Sequence, residues 1–339
     1  MQIGKKLKVA VLLPLFCLCF VLNGCMLTGA VQSTALDSRA VVRLIYLEYA
    51  GEEYRALTAV CDFTKTGEEV STAAFMQHAQ GSSPEQALLS AAQQRGGRAF
   101  FAQNQLLLIG PQLAEQKLAE VLQYFAQDHG AYRDPAVWLW YGGEDALKEL
   151  EDPMDFLQRA ESFTADDPLG CVSYVLEYEP DKAAILPVLE LKEEDAPVMQ
   201  VGGLAVAEPG ELRLYRDRTV LQGCGLLRGR QSAQLLTPEY DGAVRTVQLE
   251  GLRRSFSVQN GRLRLTIEGS GSVSVQLDES AREQLRQTVQ QTLADQCLRA
   301  WSALTLKGEE DLFSLDWWIR QLGADSGLQP EFTARIRMT

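Results

Sequence analysis

Histidine is nearly absent from this chain of 339 residues: His78 and His129 are the two that occur, and both lie among polar residues far in sequence from any cysteine. A zinc site or a histidine-based triad is therefore not expected, because each needs imidazole converging with its partners. Cysteine is scarce as well. Of the seven, Cys17, Cys19 and Cys25 belong to the first segment of the chain. Cys61, Cys171, Cys224 and Cys297 remain, none in a Cys-x-x-Cys pair. All four sit in apolar surroundings and are expected to be buried thiols, although an exported chain could oxidise them in three connectivities. Positive charge is in deficit too, with 32 Lys and Arg against 45 Asp and Glu and a net charge of −13. That balance argues against nucleic acid as a partner and against a polybasic grip on anionic lipid. After residue 25 no apolar run approaches the length of a membrane-spanning helix.

What is present begins with an export signal. Lys5, Lys6 and Lys8 give a positive start, and Val9 to Leu22 give an apolar run of signal-peptide length. The run closes on Leu22-Asn23-Gly24-Cys25, which resembles the lipobox of bacterial lipoproteins, so Cys25 is expected to be diacylglycerylated and to become the first residue. Cleavage there would remove three lysines and make the chain more acidic still. Lipid on Cys25 would hold the protein on a membrane without crossing it.

Residues 25–37 read as a lipidated leash spanning on the order of 40 Å when extended. Residues 38–190 are expected to form a mixed α/β N-terminal domain. Val41 to Tyr49 and Tyr54 to Phe63 read as an antiparallel pair. Ser83, Pro84 and Gln86 mark a capped helix start, with Ala87, Leu88 and Ala91 as its inner stripe. Gln105 to Ile109, a helix to about Asp128 and Ala136 to Tyr141 read as strand, crossover helix and parallel strand. Residues 144–179 look helical, and Ala183 to Leu191 reads as a strand that Pro187 confines to an edge or to irregular structure. The charged, Pro-terminated stretch 191–197 reads as an interdomain linker.

Residues 198–339 are expected to form an α+β domain. Two strands, Met199 to Val206 and Glu211 to Tyr215, precede a helix over Arg216 to Leu227. A three-stranded antiparallel meander follows, turning at Asn260-Gly261 and again at Gly269 to Gly271, with Val273, Val275 and Leu277 in its last strand. A long helix, with a capping box from Ser280 to Glu283, carries Ala281, Leu285, Val289, Leu293, Cys297, Trp301 and Leu304 on one face. A second helix near Asp311 to Leu322 and a strand from Glu331 to Met338 close the domain. The fold class is thus α+β, a mixed α/β domain followed by an antiparallel meander packed on a long helix.

This order resembles the Ger(x)C family, the C-subunit lipoproteins of bacterial spore germinant receptors. The best stretch lies within Gly81 to Gly142, where "GSSPEQALLSAAQQRGGRAFFAQNQLLLIG" and "LAEVLQYFAQDHGAYRDPAVWLWYGG" resemble the family's helix, its strand ending Ile-Gly and its turn. Asp128 and Arg133 fall at that turn. In "LKGEEDLFSLDWW", Asp311-Leu312-Phe313 resembles the family's segment after the long helix. The first strand departs from the family, ending "YLEYAG" in place of Gly-Ile-Asp. The resemblance implies integral A and B receptor subunits as partners, nutrient-triggered germination as the output and the inner membrane of the spore as the location.

Several local patterns have bland readings that outweigh sharper ones. "GSGSVS" lies between alternating stretches with no helix opening after it, so it is a turn and not a phosphate loop. Cys224, between Gly223 and Gly225, has no histidine to activate it and reads as a close-packed helix end. The acid runs at 193–195 and 309–311 lack the alternating ligand spacing of a calcium loop. Trp138, Trp140 and Trp301 read as core, whereas adjacent Trp317 and Trp318 cannot face one way, so one of that pair is a candidate partner contact. No catalytic, metal or cofactor residue is assigned. The expectation is a non-enzymatic membrane-anchored receptor subunit; the alternatives are a solute-binding lipoprotein of an importer, which calls for two similar α/β lobes, and an anchored hydrolase.

Overall fold

The computed structural model describes residues 39–66, 69–94, 96, 98–127, 135–166, 183–192, 198–229, 231–240, 243–305, 312–313, 315–323 and 328–338. The first half runs β1 (Arg39–Ala50), β2 (Glu53–Thr66), β3 (Glu69–Gly81), α1 (Pro84–Ala92), β4 (Arg98–Phe100), β5 (Leu106–Ile109), α2 (Pro111–Gln116), α3 (Leu118–Gln127), β6 (Ala136–Trp140), α4 (Glu144–Lys148), α5 (Pro153–Asp166) and β7 (Ala184–Lys192). The second runs β8 (Val198–Glu208), β9 (Glu211–Tyr215), α6 (Arg218–Arg228), β10 (Ala233–Leu236), β11 (Glu239–Tyr240), β12 (Ala243–Val244), β13 (Val247–Gln259), β14 (Arg262–Val273), α7 (Glu279–Leu304), α8 (Leu315–Gln321) and β15 (Pro330–Met338).

One large sheet has the order β3-β2-β1-β5-β6-β7-β8-β9, with β4 also beside β1. Its centre is parallel, from β1 through β5 and β6 to β7. Antiparallel hairpins flank that centre on both sides. The central strands are covered on two faces, which is why Leu106 to Ile109 and Ala136 to Trp140 are apolar without alternation and buried throughout. On one face, α1, α2 and α3 press Leu88, Leu113, Val121 and Phe125 onto Ile45, Leu107 and Leu139. On the other, α4 and α5 bring Leu147, Phe156 and Leu157 against Leu108, Trp138 and Trp140.

The helix starts obey their local chemistry. Ser83 Oγ accepts from Gln86 N at 3.2 Å, and Pro84 occupies the first turn. Gln86 Oε1 reaches back to Ser82 N at 2.9 Å, so the box closes one residue further out than its usual form. At the long helix the cap is not Ser280. Asp278 Oδ1 accepts from Ala281 N at 2.7 Å, and Glu283 pairs with Arg286 Nε at 2.7 Å. The helix therefore opens two residues earlier than the Ser-x-x-Glu spacing suggests, because Asp278 competes for the same orphan N–H groups.

The division at 191–197 is corrected. β7 and β8 pair antiparallel from Ala184 with Ala207 to Lys192 with Val198, so the charged stretch joins neighbouring strands of one sheet. Turn and linker share one composition, and strand pairing separates them. Pro187 is corrected as well: β7 lies inside the sheet between β6 and β8. The ladder to β6 engages only at Val188 and Leu189, one residue past the proline, so the missing N–H breaks no rung there. The change of architecture comes after Tyr215.

A second sheet has the order β10-β13-β14-β15. The Asn260-Gly261 turn stands where expected, with both residues at positive φ, 51° and 70°. The expected turn at Gly269 to Gly271 does not exist. β14 runs through both glycines to Val273, and its partner on the far side is β15, paired parallel from Leu263 with Pro330 to Gly271 with Met338. Small residues are needed there because a side chain at Gly269 would press on Leu252, and one at Gly271 on Met338 and Leu249. Val275 and Leu277 form no strand.

The long helix packs as its stripe implies: Leu285, Val289, Leu293, Cys297 and Leu304 are buried over Leu263, Leu265, Ile267 and Ile336. α6 crosses α7 at close range, since a Cβ at Gly223 would overlap the Gln296 carbonyl. The same core takes in Ile185, Leu204 and Val206 from β7 and β8. The two halves are thus built on a shared sheet face.

Candidate functional site

Cys25 lies outside the described residues, as do the leash, Asp128, Arg133 and Asp311, His129, Cys171 and both acid runs. α8 presents Trp318 half-buried, its ring stacked on Phe256 with centroids 4.6 Å apart and planes 19° from parallel. The Arg254 guanidinium lies 5.3 Å from the Phe256 centroid and 6.0 Å from that of Trp318. Arg254 also donates to the Leu227 carbonyl at the end of α6. That contact sets a cation on the negative end of a helix. It requires Gly229, where φ is 67° and a Cβ would meet the arginine. Trp318 therefore ties α8 to β13 and offers a partner only its outer edge. Leu312 and Phe313, the two described residues of the family-like Asp-Leu-Phe segment, are buried in the second core.

Of the other tryptophans, Trp138 and Trp140 are buried in the first core. Trp301 is half-buried beside Phe313, 6.0 Å between centroids. His78 is exposed on β3, in a strand and not in a loop as its polar neighbours suggest. Cys61, Cys224 and Cys297 are buried, and burial pushes the Cys297 thiol up to about 12, far from thiolate chemistry.

The feature missing from the sequence reading is Glu48. It stands near the end of β1, beside the start of α2. Its carboxylate accepts from Tyr49 N and from Leu113 N, both at 2.8 Å. A Cβ at Gly110 would collide with that carboxylate. Burial raises its pKa, with the backbone hydrogen bonds from Tyr49, Leu113 and Gln112 pulling the other way. Neighbouring Tyr46 is shifted strongly upward by its own burial and by Glu48. This is an internal anchor that closes the open N–H groups of α2. Its only sequence signal is an acid in the otherwise apolar second half of β1, "LIYLEYA".

Two clefts remain. One, of 480 Å³, has Leu150, Phe156, Leu191 and Met199 beneath Glu149, Glu151, Asp152 and Asp155. Two of these acids are engaged: Asp152 caps α5 at Met154 N, 2.9 Å, and Asp155 pairs with Arg159 at 2.7 Å. The other, of 790 Å³, crosses the second sheet and carries Arg253, Arg286, Arg335 and Arg337. Among the described residues no three His, Cys, Asp or Glu side chains converge as metal ligands.

Most of the sheet that carries Glu48 falls within a known domain. Residues 32–191 match the model of the spore germination protein N-terminal domain. Residues 32–191 thus carry the N-terminal domain of the Ger(x)C spore germination proteins. The matched region ends at β7, so the last two strands of the first sheet, β8 and β9, lie beyond it. No curated protein matches the chain in sequence. In fold, the chain is similar to the crystal structure of the GerBC protein, with a TM-score of 0.51 at 10% identity over 86% of this chain and 96% of that one. At that identity it is a likeness of fold.

Proposed function

We propose that this protein is the non-enzymatic C subunit of a nutrient germinant receptor, tethered through lipid on Cys25 to the outer face of the spore inner membrane and docked on membrane-embedded A and B subunits. The observation that carries the reading is the match of residues 32–191 to the spore germination N-terminal domain. The fold likeness to GerBC over most of both chains supports it. The second sheet speaks against the importer alternative: its strands are antiparallel except for β14 with β15, so the two halves are not similar lobes with parallel centres. Confinement to one leaflet would raise the local concentration of the subunit near its partners, so a weak contact suffices.

The test is Cys25→Ala at native expression. Nutrient-triggered germination should fall severalfold while the purified body keeps its thermal transition, and overexpression should restore part of the response by mass action. Mass spectrometry of the membrane form should find diacylglycerol on Cys25. Full germination by a verified untethered protein would remove the tether from the mechanism. Normal germination with loss of uptake of one solute would favour the importer.

A further inference from the structure

The outer face of the second sheet gathers positive charge that the composition of the chain conceals. A bulge in β13 between Glu250 and Arg253, with Gly251 at φ 62°, is what aims it. The extra residue turns Leu252 into the core and returns Arg253 to the side occupied by Glu250. Arg253 then stands opposite Glu268, which stands opposite Arg335. In the next rung Ser270 stands opposite Arg337, and Arg286 reaches the same cleft from α7.

The local balance is four guanidinium groups against three carboxylates, Glu250 and Glu268 in the cleft and Glu283 beside Arg286. Arg335 approaches Glu268 at 3.6 Å, and Arg286 is held by Glu283. Arg253 and Arg337 are exposed and make no hydrogen bond or ion pair among the described residues. Further along the face come exposed Ser255 and then Thr266, buried and bonded through its hydroxyl to that of Thr333 at 3.0 Å, so this stretch is polar and offers no apolar anchor. A protein partner would be expected to find aromatic or aliphatic pockets at the centre of its contact. Here the one large apolar side chain on the face is Leu235 of β10, 62% exposed. An open polar face with forked cations and one protruding leucine matches phosphate groups at a bilayer surface.

We infer that this face of the second sheet rests on the anionic phosphates of the membrane and thereby sets the orientation of the protein. The inference builds on the tethered reading: with a net charge of −13, the rest of the surface is repelled by anionic lipid, so a leash alone would leave the body tumbling and this face selects one pose. The composition argument against a polybasic grip holds for the chain as an average and fails on this one surface.

The described contacts all lie beyond residue 38, so the chain without residues 1–25 tests the face apart from the tether. Wild type should co-sediment with vesicles of phosphatidylglycerol in phosphatidylcholine, weakly with phosphatidylcholine alone, and less as salt rises. Arg253→Gln/Arg335→Gln/Arg337→Gln should lose at least about tenfold in partitioning. Arg159→Gln/Arg216→Gln/Arg299→Gln, the same charge removed elsewhere, should not. Each variant is checked for an unchanged thermal transition. Absence of vesicle binding by wild type, or equal loss in both triple variants, would overturn the inference. So would binding of inorganic phosphate without binding of vesicles, which would make the cleft a site for a free anion. The lipid state of Cys25 is read separately by mass spectrometry, so failure of the tether and failure of the face are distinguishable.

Discussion

Glu48 is the residue whose chemistry most clearly couples burial to pH. Its folded pKa is raised, mainly by burial. The folded state therefore binds its proton more readily than the unfolded chain, and the sign follows. The contribution of this group is most favourable below the ordinary carboxylate range and is lost as pH rises through the folded pKa. Glu48→Gln keeps an acceptor for Leu113 N and Tyr49 N while removing the titration. Urea unfolding of the two proteins across acid to neutral pH should show wild type losing stability relative to Glu48→Gln as pH rises. Glu48→Ala should cost about 1–3 kcal/mol near neutrality, because it leaves buried N–H groups of α2 unpaired. A flat difference between wild type and Glu48→Gln would mean that Glu48 does not titrate in this range.

At the scale of elements, the start of α7 separates two readings of the same dozen residues. Ser280 and Glu283 have the spacing of a capping box, yet Asp278 holds the cap. Asp278→Ala should therefore destabilise the protein by about 1 kcal/mol, and Ser280→Ala should change it by only a few tenths, as measured by chemical denaturation. The reverse order would return the helix start to Ser280. The first-half helices were legible because their punctuation is strong: Ser83-Pro84 and Gly110-Pro111 each mark a start that the structure keeps. β3 was not legible. It is a strand at the edge of the sheet whose pairing with β2 supplies what its composition does not signal.

For the whole molecule, the shared sheet face predicts what a cut at 191–197 does. Nicking that connection should leave both pieces associated in gel filtration, because β7 and β8 pair along their length and Ile185, Leu204 and Val206 lie in the second core. Residues 38–192 expressed alone should lack a cooperative thermal transition, since they end on an apolar strand held to β6 at two positions and stripped of its long ladder to β8. An independently folded 38–192 would restore the boundary that composition suggested. The same face explains why the family match and the physical unit end at different strands.

Period and punctuation in the sequence determined the apolar centre of the first sheet, the helix starts at Pro84 and Pro111, the Asn260-Gly261 turn and the buried stripe of α7. Each depends on residues a few positions apart, within reach of local sterics and hydrogen bonding. The lipobox and the family-like motif are of the same local kind. Long-range pairing decided the rest. It joined β7 to β8, ran β14 through its glycines beside a parallel β15, and put the Glu48 carboxylate under residues 110–113, more than sixty positions away. It also brought Arg253, Arg335 and Arg337 onto one face of an acidic protein. Net charge is a sum over the chain and carries no position, so only the fold, through the bulge at Gly251 and the register of three strands, could place those cations side by side.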